Sequence, residues 1–353
     1  MEKIVSAIAA PNIALIKYWG KRDNLLKLPL NDSISMTLDA GTLASTTTIL
    51  LSDGLPRDIF VLNGQRVQDA HIAEALKLMR ARLAHDHPLI DSPVLLISSN
   101  NFPTSAGIAS SASGFAALAK AMGGALGIDD LRELSILARL GSGSASRSIF
   151  GGFAKWKTGK REDGEDSFAA QIAPSSHWPD LVDVIAVADA GKKKVSSKMG
   201  MERTVDTSEL FDCRIKHMPA SVRRVETAIL ENDFDALGEE IMKDSNSMHA
   251  TMLESWPPVM YMNDVSRSVI EAVHEYNADA GEIRAAYTFD AGPNAHIITT
   301  QDESAKVRAM LKKISGVQKL FVSPIGEGAK SVAPDRKLAE NTLKMLKINV
   351  SLD

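Results

Sequence analysis

The segment that most constrains the fold of this 353-residue chain is a run of small residues between two apolar stretches. Val94 to Ile97 is apolar, residues 100–114 read NNFPTSAGIASSASG, and Phe115 to Met122 is apolar again. This order predicts a strand, a loop rich in Gly, Ala and Ser, and a helix. Because the first N–H groups of a helix lack intrahelical partners and its dipole favours negative charge there, such a loop is typical of a phosphate site.

A simpler interpretation of the same loop is that its serines only cap the helix that follows. The loop lacks the Gly-Lys-Ser/Thr ending of a P-loop. It also lacks the Gly-x-Gly-x-x-Gly spacing of a dinucleotide-binding fingerprint. Taken alone, the loop leaves phosphate binding and helix capping open.

Composition excludes several classes of function. Lys and Arg total 40 against 44 Asp and Glu, which gives a formal net charge of -4, whereas nucleic-acid-binding proteins are usually basic. No window approaches the roughly 18 consecutive apolar residues of a membrane-spanning helix. The single cysteine, Cys213, precludes an intrachain disulfide and fits a cytoplasmic setting. We therefore expect neither a nucleic acid nor a membrane as partner.

Apolar periodicity predicts a mixed protein of the α+β class. Short apolar or alternating runs predict strands, apolar spacings of three and four predict helices, and the two do not alternate as strict βαβ units. The predicted strands are Val5–Ala9, Asn31–Leu38, Ser45–Leu51, Ile59–Leu62, Val94–Ile97, Gly151–Trp156, Val182–Ala188, Ala285–Phe289, His296–Thr299 and Val317–Val322. The predicted helices are Ala70–Ala84, Ile108–Leu126, Leu131–Leu140, Ser221–Asn232, Asp235–Ser247 and Asn263–Asn277. We expect two lobes, residues 1–187 and 188–353.

Three charged residues stand in unusual surroundings. Lys17 lies inside an apolar sequence, where its ammonium either pairs with a partner or reaches solvent over a buried stem. Arg147 follows a Gly- and Ser-rich segment, which is either a polar loop or an anion site with a bidentate grip. Asp290 precedes Gly292 and Pro293, so it either stabilises a turn or acts as a base. Spacing alone does not decide between these interpretations.

Seven segments together resemble one family, the mevalonate diphosphate decarboxylases of the GHMP kinase superfamily. They occur in the family's order between residues 11 and 296, so the resemblance covers most of the chain. The segments are PNIALIKYWGKRD at 11–23, LPLNDSIS at 28–35, NNFPTSAGIASSASGFAAL at 100–118, GSGSASRSIFGGFAKW at 141–156, KKVSSKMGM at 193–201, DSNSMHATMLESWPPVMYMND at 244–264 and YTFDAGPNAH at 287–296.

The resemblance implies a two-lobed GHMP kinase-like fold with a deep cleft between the lobes. It implies a carboxy-lyase that converts mevalonate 5-diphosphate to isopentenyl diphosphate, with release of ADP, phosphate and CO₂. ATP and Mg²⁺ are the implied cofactors, and a homodimer is the implied assembly. Because the sequence offers no His/Cys cluster, we expect Mg²⁺ to arrive with ATP and predict no protein metal site.

The resemblance also implies roles for individual residues. Asp290 matches the aspartate that acts on the C3 hydroxyl, Lys17 the lysine beside it, and Arg147 the arginine that binds substrate anions. The implied substrate-binding residues are Asn12, Tyr18, Lys21, Ser142, Ser144, Ser197 and Lys198. The implied nucleotide-binding residues are Asn100, Pro103, Gly107, Ser110, Ser111 and Ser113.

The sequence departs from the commoner family pattern at three positions. Ser146 replaces a cysteine of many relatives, and this small residue is expected to have little effect. Asp32 replaces a serine and would repel phosphates if it faced them. Lys198 replaces an arginine of some relatives and cannot reproduce a bidentate grip.

Four other functions compete with the decarboxylation of the 5-diphosphate. Two are decarboxylations of mevalonate 5-phosphate and of mevalonate 3,5-bisphosphate, of which the second would need no ATP. The retained phosphate loop argues against the second, and Lys21, Arg147 and Ser144 favour a diphosphate over a monophosphate. A GHMP kinase that stops after phosphoryl transfer, or an inactive binding protein, is disfavoured by the presence of Asp290, Lys17 and Arg147 together.

Overall fold

The computed structural model describes residues 2–83, 87–102, 110–188, 194–350 and 352. The strands in these ranges are β1 (Glu2–Ala9), β2 (Asn12–Ile16), β3 (Lys21–Asp23), β4 (Leu28–Pro29), β5 (Ser33–Thr37), β6 (Ser45–Ser52), β7 (Ile59–Leu62), β8 (Gln65–Val67), β9 (Val94–Asn100), β10 (Phe153–Trp156), β11 (Ala169–Ala173), β12 (Leu181–Val187), β13 (Ala285–Phe289), β14 (Ala295–Thr300), β15 (Lys319–Pro324) and β16 (Lys330–Val332). The α-helices are α1 (Ala70–Leu83), α2 (Ser110–Leu126), α3 (Leu131–Gly141), α4 (Ala145–Ser148), α5 (Ser197–Thr207), α6 (Phe211–Glu231), α7 (Phe234–Glu254), α8 (Asp264–Ala280), α9 (Gln301–Leu311) and α10 (Arg336–Leu346).

A six-stranded sheet in the order β16-β1-β6-β9-β7-β8 carries the small-residue loop. Successive side chains of a strand point to opposite faces, so each face can bury its own apolar set. Ile49 and Leu51 of β6 face the alanine-rich helix α2, whereas Leu50 faces helix α10. Strand β9 ends at Asn100 and α2 begins at Ser110, which confirms the strand and helix predicted on either side of the loop.

Two four-stranded sheets, β11-β10-β5-β2 and β13-β14-β12-β15, are joined by one apolar core. Ile13 of β2 and Ile185 of β12 belong to this core, together with Val222 of α6 and Ile241 of α7. The opposite face of the β12 sheet packs against α8 and α9. The helices α6 and α7 therefore lie between two sheets and fix their relative position.

The α+β class is confirmed, but several element boundaries differ from the prediction. The strand β2 was not predicted, because its apolar run was interpreted only as the surroundings of Lys17. Helix α6 begins ten residues before the predicted start at Ser221 and continues through Pro219, a residue that usually interrupts helices. Helix α5 was missed because its sequence, SKMGMERTVDT, has too few apolar residues to show a stripe.

Strand pairing on both sides of the predicted lobe boundary links distant parts of the chain. The strand β12, which ends at Val187, belongs to the sheet of β13 and β14. The segment that contains β16 and α10 returns to the six-stranded sheet formed by the first part of the chain. The division into residues 1–187 and 188–353 stays a prediction.

Gly152 and Gly127 offer a matched test of close backbone packing. Both have a positive φ, +68° and +73°, so an alanine at either position carries the cost of a left-handed conformation, about 1 kcal/mol. A Cβ on Gly152 would lie 2.2 Å from the Ala173 carbonyl oxygen, whereas a Cβ on Gly127 would meet nothing within 4 Å. We predict that Gly152→Ala lowers the free energy of unfolding by about 3 kcal/mol and Gly127→Ala by about 1 kcal/mol. Chemical denaturation measures both, and equal losses would contradict the packing described.

Candidate active site

A cavity of about 590 Å³ is lined by segments from both parts of the chain. It contains every residue predicted to be catalytic or to bind the substrate: Asp290, Lys17, Arg147, Asn12, Tyr18, Lys21, Ser142, Ser144, Ser197 and Lys198. These residues come from β2 and the segment that continues into β3, from α4 and the loop before it, from the start of α5 and from the residue after β13. The fold therefore brings together ten residues that span almost 280 positions of sequence.

Lys17 and Asp290 form an ion pair at one wall of the cavity. Lys17 follows β2, Asp290 follows β13, and their Nζ and Oδ1 atoms are 2.7 Å apart. The lysine side chain is 2% exposed and the aspartate side chain 34% exposed. Since an isolated buried ammonium is strongly unfavourable, the carboxylate compensates the charge of Lys17 while one of its edges remains accessible.

The backbone of Lys17 is fixed by two further side chains. Its N–H donates to Asp244 Oδ2 at 2.7 Å, and its carbonyl accepts from Asn31 Nδ2 at 3.0 Å. Asp244 in turn pairs with Arg214, whose Nη2 lies 2.9 Å from Asp244 Oδ1, and both side chains are at most 2% exposed. Sequence reasoning included Asp244 in a family segment but gave it no role. We infer that Asp244 positions Lys17.

Arg147 is held in the cavity wall by neutral partners. Its Nη1 donates to Ser33 Oγ at 2.6 Å and its Nη2 to Asn12 Oδ1 at 3.1 Å. Asn12 is itself oriented by donating to the Ser144 carbonyl oxygen at 2.9 Å. Burial lowers the pKa of the Arg147 guanidinium to about 10, and the charge of Asp290 opposes this shift. None of the described residues places a carboxylate within ion-pair distance of this buried guanidinium. Arg147 is therefore suited to bind a ligand anion.

Other residues of the cavity wall supply phosphate-binding chemistry. Burial, then the neighbouring charge of Lys27, lowers the pKa of Lys21. The Tyr18 hydroxyl is buried and has no hydrogen-bond partner among the described residues, and burial raises its pKa well above the usual range. The hydroxyls of Ser142 and Ser144 lie 3.5 Å apart on the same wall. Ammonium and hydroxyl donors together match the oxygen-rich surface of a phosphate.

The residues predicted for the nucleotide occupy different environments. Asn100, Ser110 and Ser111 line a second cavity of about 260 Å³, and Ser111 lines both cavities. Ser113 lines neither, because it is fully buried and its hydroxyl bonds with Ser45 Oγ at 2.6 Å. Pro103 and Gly107 lie outside the described residues. The two cavities thus meet at the amino terminus of α2.

The side chains of the described residues bear on how a magnesium ion would be held. They contain no group of three or more His, Cys, Asp or Glu side chains able to hold a metal ion. Ser110 and Ser111 supply hard oxygen atoms at the start of α2, next to the place where phosphates would lie. This donor set suits Mg²⁺ bound mainly through the phosphates of a nucleotide.

Two of the departures from the family pattern, Asp32 and Ser146, do not line the cavity. Asp32 Oδ1 accepts hydrogen bonds from the Thr158 N–H at 2.7 Å and from its hydroxyl at 2.6 Å. Ser146 is fully buried and donates to the Gly143 carbonyl oxygen at 2.7 Å. Neither side chain lines the cavity, so the repulsion considered for Asp32 does not arise there.

Four polar residues of the cavity wall were missed by sequence reasoning. They are Asn24, Lys27, His71 and Glu74. Lys27 carried the same signal as Lys17, a lysine beside leucines, since Leu25, Leu26 and Leu28 surround it. His71 and Glu74 lie on α1, whose polar face gave no reason to expect a ligand.

Family models match both parts of the chain. One, described as the diphosphomevalonate decarboxylase-like N-terminal domain, matches residues 9–169, and the mevalonate 5-diphosphate decarboxylase C-terminal domain matches residues 183–349. Diphosphomevalonate decarboxylase mvd1 of Aspergillus fumigatus is 43% identical over 361 residues, which covers 97% of this chain and 89% of that protein.

Solved structures show the same similarity. Mevalonate diphosphate decarboxylase from Staphylococcus aureus superposes with a TM-score of 0.87 at 37% identity, covering 94% of this chain and 99% of that one. A structure of MDDEF in complex with MVAPP, AMPPCP and magnesium gives a TM-score of 0.85 at 36% identity, with 94% and 99% coverage. These similarities confirm the predicted GHMP-type fold.

His249 of α7 lies behind the ion pair. It is 6% exposed, its ring meets Phe289 edge-on at 6.2 Å, and its Nε2 has no hydrogen-bond partner among the described residues. Burial, and after it the positive charge of Lys17, lower the pKa of His249 to about 4. The imidazole is therefore neutral at pH 7, so it adds no positive charge near Lys17.

We predict that His249 contributes to loss of stability in acid. Below pH 6.5 the unfolded chain takes up a proton at this residue that the folded protein refuses until about pH 4. The free energy of unfolding should fall by about 3 kcal/mol across that window on account of this group. His249→Gln should flatten the acid limb between pH 6.5 and 4, whereas the exposed His217→Gln should leave it as it is. Denaturation at several pH values measures this, and parallel limbs for all three proteins would contradict it.

Proposed function

The chain belongs to the diphosphomevalonate decarboxylase family, and on that premise we propose how its cavity performs the ATP-dependent decarboxylation of mevalonate 5-diphosphate. ATP transfers its terminal phosphoryl group to the C3 hydroxyl. The C1–C2 bond then breaks, its electron pair forms the C2–C3 double bond, and the C3–O bond breaks with release of phosphate. The products are isopentenyl diphosphate, CO₂, ADP and phosphate.

Phosphorylation solves a leaving-group problem at C3. The electrons left by departing CO₂ need an acceptor, and a tertiary hydroxide leaves poorly. A phosphate leaves readily, which explains why a decarboxylase has a nucleotide site beside its substrate cavity. The contact between the two cavities at Ser111 supports a direct transfer between ATP and substrate.

The ion pair of Lys17 and Asp290 is the observation that carries the proposal. Asp290 accepts the proton of the C3 hydroxyl as that oxygen attacks the terminal phosphorus of ATP. Lys17, held by its backbone contacts to Asp244 and Asn31, keeps Asp290 ionised and stabilises negative charge on the transferring phosphoryl group. Positioning and charge stabilisation of this kind supply most of the catalysis in phosphoryl transfer.

Arg147 is proposed to bind the substrate carboxylate. Its guanidinium is oriented by Ser33 and Asn12 through neutral hydrogen bonds, and it lines the cavity near Asp290. A carboxylate placed against it has a fixed orientation relative to C3. Tyr18, Lys21, Ser142, Ser144, Ser197 and Lys198 are proposed to surround the 5-diphosphate.

ATP is proposed to lie with its phosphates at the amino terminus of α2, near Ser110 and Ser111. Asn100 lines the adjoining cavity, where its side chain is fixed by the Ser45 hydroxyl at 2.6 Å. Mg²⁺ would be held by the phosphates, with these serine oxygens beside it, and would supply charge neutralisation. The residue roles of Pro103, Gly107 and Ser113 implied by the family resemblance stay predictions.

Assembly and location complete the proposal. We propose a homodimer, because Trp256 and Met260 are 74% and 73% exposed and offer an apolar surface that a second copy could cover. None of the helices in the described ranges has the length and hydropathy needed to cross a bilayer. The cytoplasmic location and the division into lobes at residues 187 and 188 belong to the same proposal.

Removal of the Asp290 charge tests the proposed base. We expect the wild-type protein with Mg²⁺ and mevalonate 5-diphosphate to form isopentenyl diphosphate and ADP only when ATP is present. Asp290→Asn should lower the rate of CO₂ release by about 10²- to 10⁴-fold, because the general base is lost. Binding of a non-hydrolysable ATP analogue should change less than about threefold, since Asp290 lies outside the nucleotide cavity.

Asp279→Asn is the matched control, because Asp279 is exposed near the end of α8. It should retain the wild-type rate. A rate of CO₂ release in Asp290→Asn equal to that of the control would show that another group takes the proton.

A further inference from the structure

We propose that Lys27 is a specificity-determining residue, which binds the terminal phosphoryl group of the 5-diphosphate and so selects it over a 5-monophosphate. The inference rests on the proposed function and deepens it. Lys27 lines the large cavity in the hairpin between β3 and β4, and the family resemblance assigned it no role. Its backbone, its burial and its charged surroundings point separately to an anionic ligand.

The backbone of Lys27 has a conformation that lysine does not favour. Its φ is +56°, in the left-handed region where glycine and asparagine are most stable. The turn before it is closed locally, since the Leu26 N–H donates to Asp23 Oδ1 at 2.6 Å. A turn of this shape needs no lysine. Unfavourable backbone conformations of this kind occur often at ligand sites, where the side chain compensates their cost.

Most of Lys27 is buried, and none of the described residues pairs with its ammonium. It is 8% exposed, yet it makes no hydrogen bond or ion pair with the described residues. Burial has the largest effect on its pKa and lowers it. The charge of Glu74 comes next and raises the pKa, and the smaller effects of Lys198 and Arg139 lower it. The Lys27 ammonium opens to the cavity, where a ligand anion can pair with it.

The position of Lys27 in the cavity selects which anion it meets. The charges of Lys27 and Lys198 both act on Lys21, whereas the groups that act on Arg147 are Asp290 and Tyr18. The cavity thus has a lysine end and a reacting end. In the substrate, C4 and C5 separate the reacting C3 from the phosphates, so the diphosphate reaches the lysine end. A third ammonium there matches the charge that the second phosphoryl group adds.

The phosphates of ATP are the competing source of negative charge. Glu74 and His71 of α1 also line the large cavity, and His71 extends to the nucleotide cavity. Lys27 does not line the nucleotide cavity. We therefore assign Lys27 to the substrate site. Binding of an ATP analogue is measured in the same test.

Calorimetric titration of Lys27→Met separates these sources, because methionine keeps the apolar stem and removes the charge. The probes are mevalonate 5-diphosphate, mevalonate 5-phosphate and a non-hydrolysable ATP analogue with Mg²⁺. The Kd for the diphosphate should rise by about 10- to 100-fold, the loss typical of a charge-assisted hydrogen bond. The Kd values for the monophosphate and the nucleotide should rise less than about threefold. Lys313→Met, an exposed lysine after α9, should match the wild type with all three ligands.

Lys27→Asn gives a readout that a purely structural role would not produce. Asparagine tolerates the left-handed conformation, so the melting temperature should rise by about 1 to 3 °C while the diphosphate affinity falls as it does in Lys27→Met. Lys27→Arg, which retains the charge, should keep a diphosphate Kd within about tenfold of the wild type. A lower melting temperature in Lys27→Asn with an unchanged ratio of the two Kd values would overturn the proposal.

Three other outcomes would also overturn it: equal losses for diphosphate and monophosphate, a loss confined to the ATP analogue, or no change in any Kd. The proposed function is tested separately by wild-type turnover of mevalonate 5-diphosphate with ATP. If that turnover is present and Lys27→Met binds normally, only the role of Lys27 fails. If the wild type neither binds nor converts the diphosphate, the proposed function itself fails.

Discussion

The contact between Lys17 Nζ and Asp290 Oδ1 joins the ends of two strands that belong to different sheets. An ion pair of this kind is formed only if the two sheets are held in a fixed relation, because a shift of about 1 Å would break a 2.7 Å contact. The shared core of β2, β12, α6 and α7 supplies that fixed relation. Removal of one partner would leave a buried charge, so the fold and the chemistry depend on the same pair.

Small residues allow the serine-rich wall to approach this pair. A Cβ on Gly143 would lie 2.6 Å from the Trp156 ring and 3.0 Å from the Tyr18 ring. Those two rings meet edge-on with centroids 4.7 Å apart. The glycine is therefore required for Ser142 and Ser144 to reach the cavity beside Tyr18. The phosphate-binding wall is built by close aromatic packing, and the hydroxyls are placed as a consequence.

The sequence was sufficient to find the groups that stand out against their surroundings. Lys17 was visible because it interrupts an apolar run, and the small-residue loop was visible because its composition is extreme. Asp244 and Arg214 were not visible, since an acid and a base about thirty residues apart on polar helices resemble ordinary surface charges until the helices pack. The direction of the Asp32 side chain was also undetermined, because it depends on Thr158, which lies 126 positions later. Long-range packing decided each of these cases, and one chain without its fold carries no direct signal of it.

The most direct test of this account is a double-mutant cycle on the decarboxylation rate with Lys17→Met, Asp290→Asn and the combined variant. If the two side chains act as one unit, the combined variant should be no more than about threefold slower than the slower single variant, as expected for groups that depend on each other. If the two losses multiply, the groups act independently, and the ion pair is not the element on which catalysis depends.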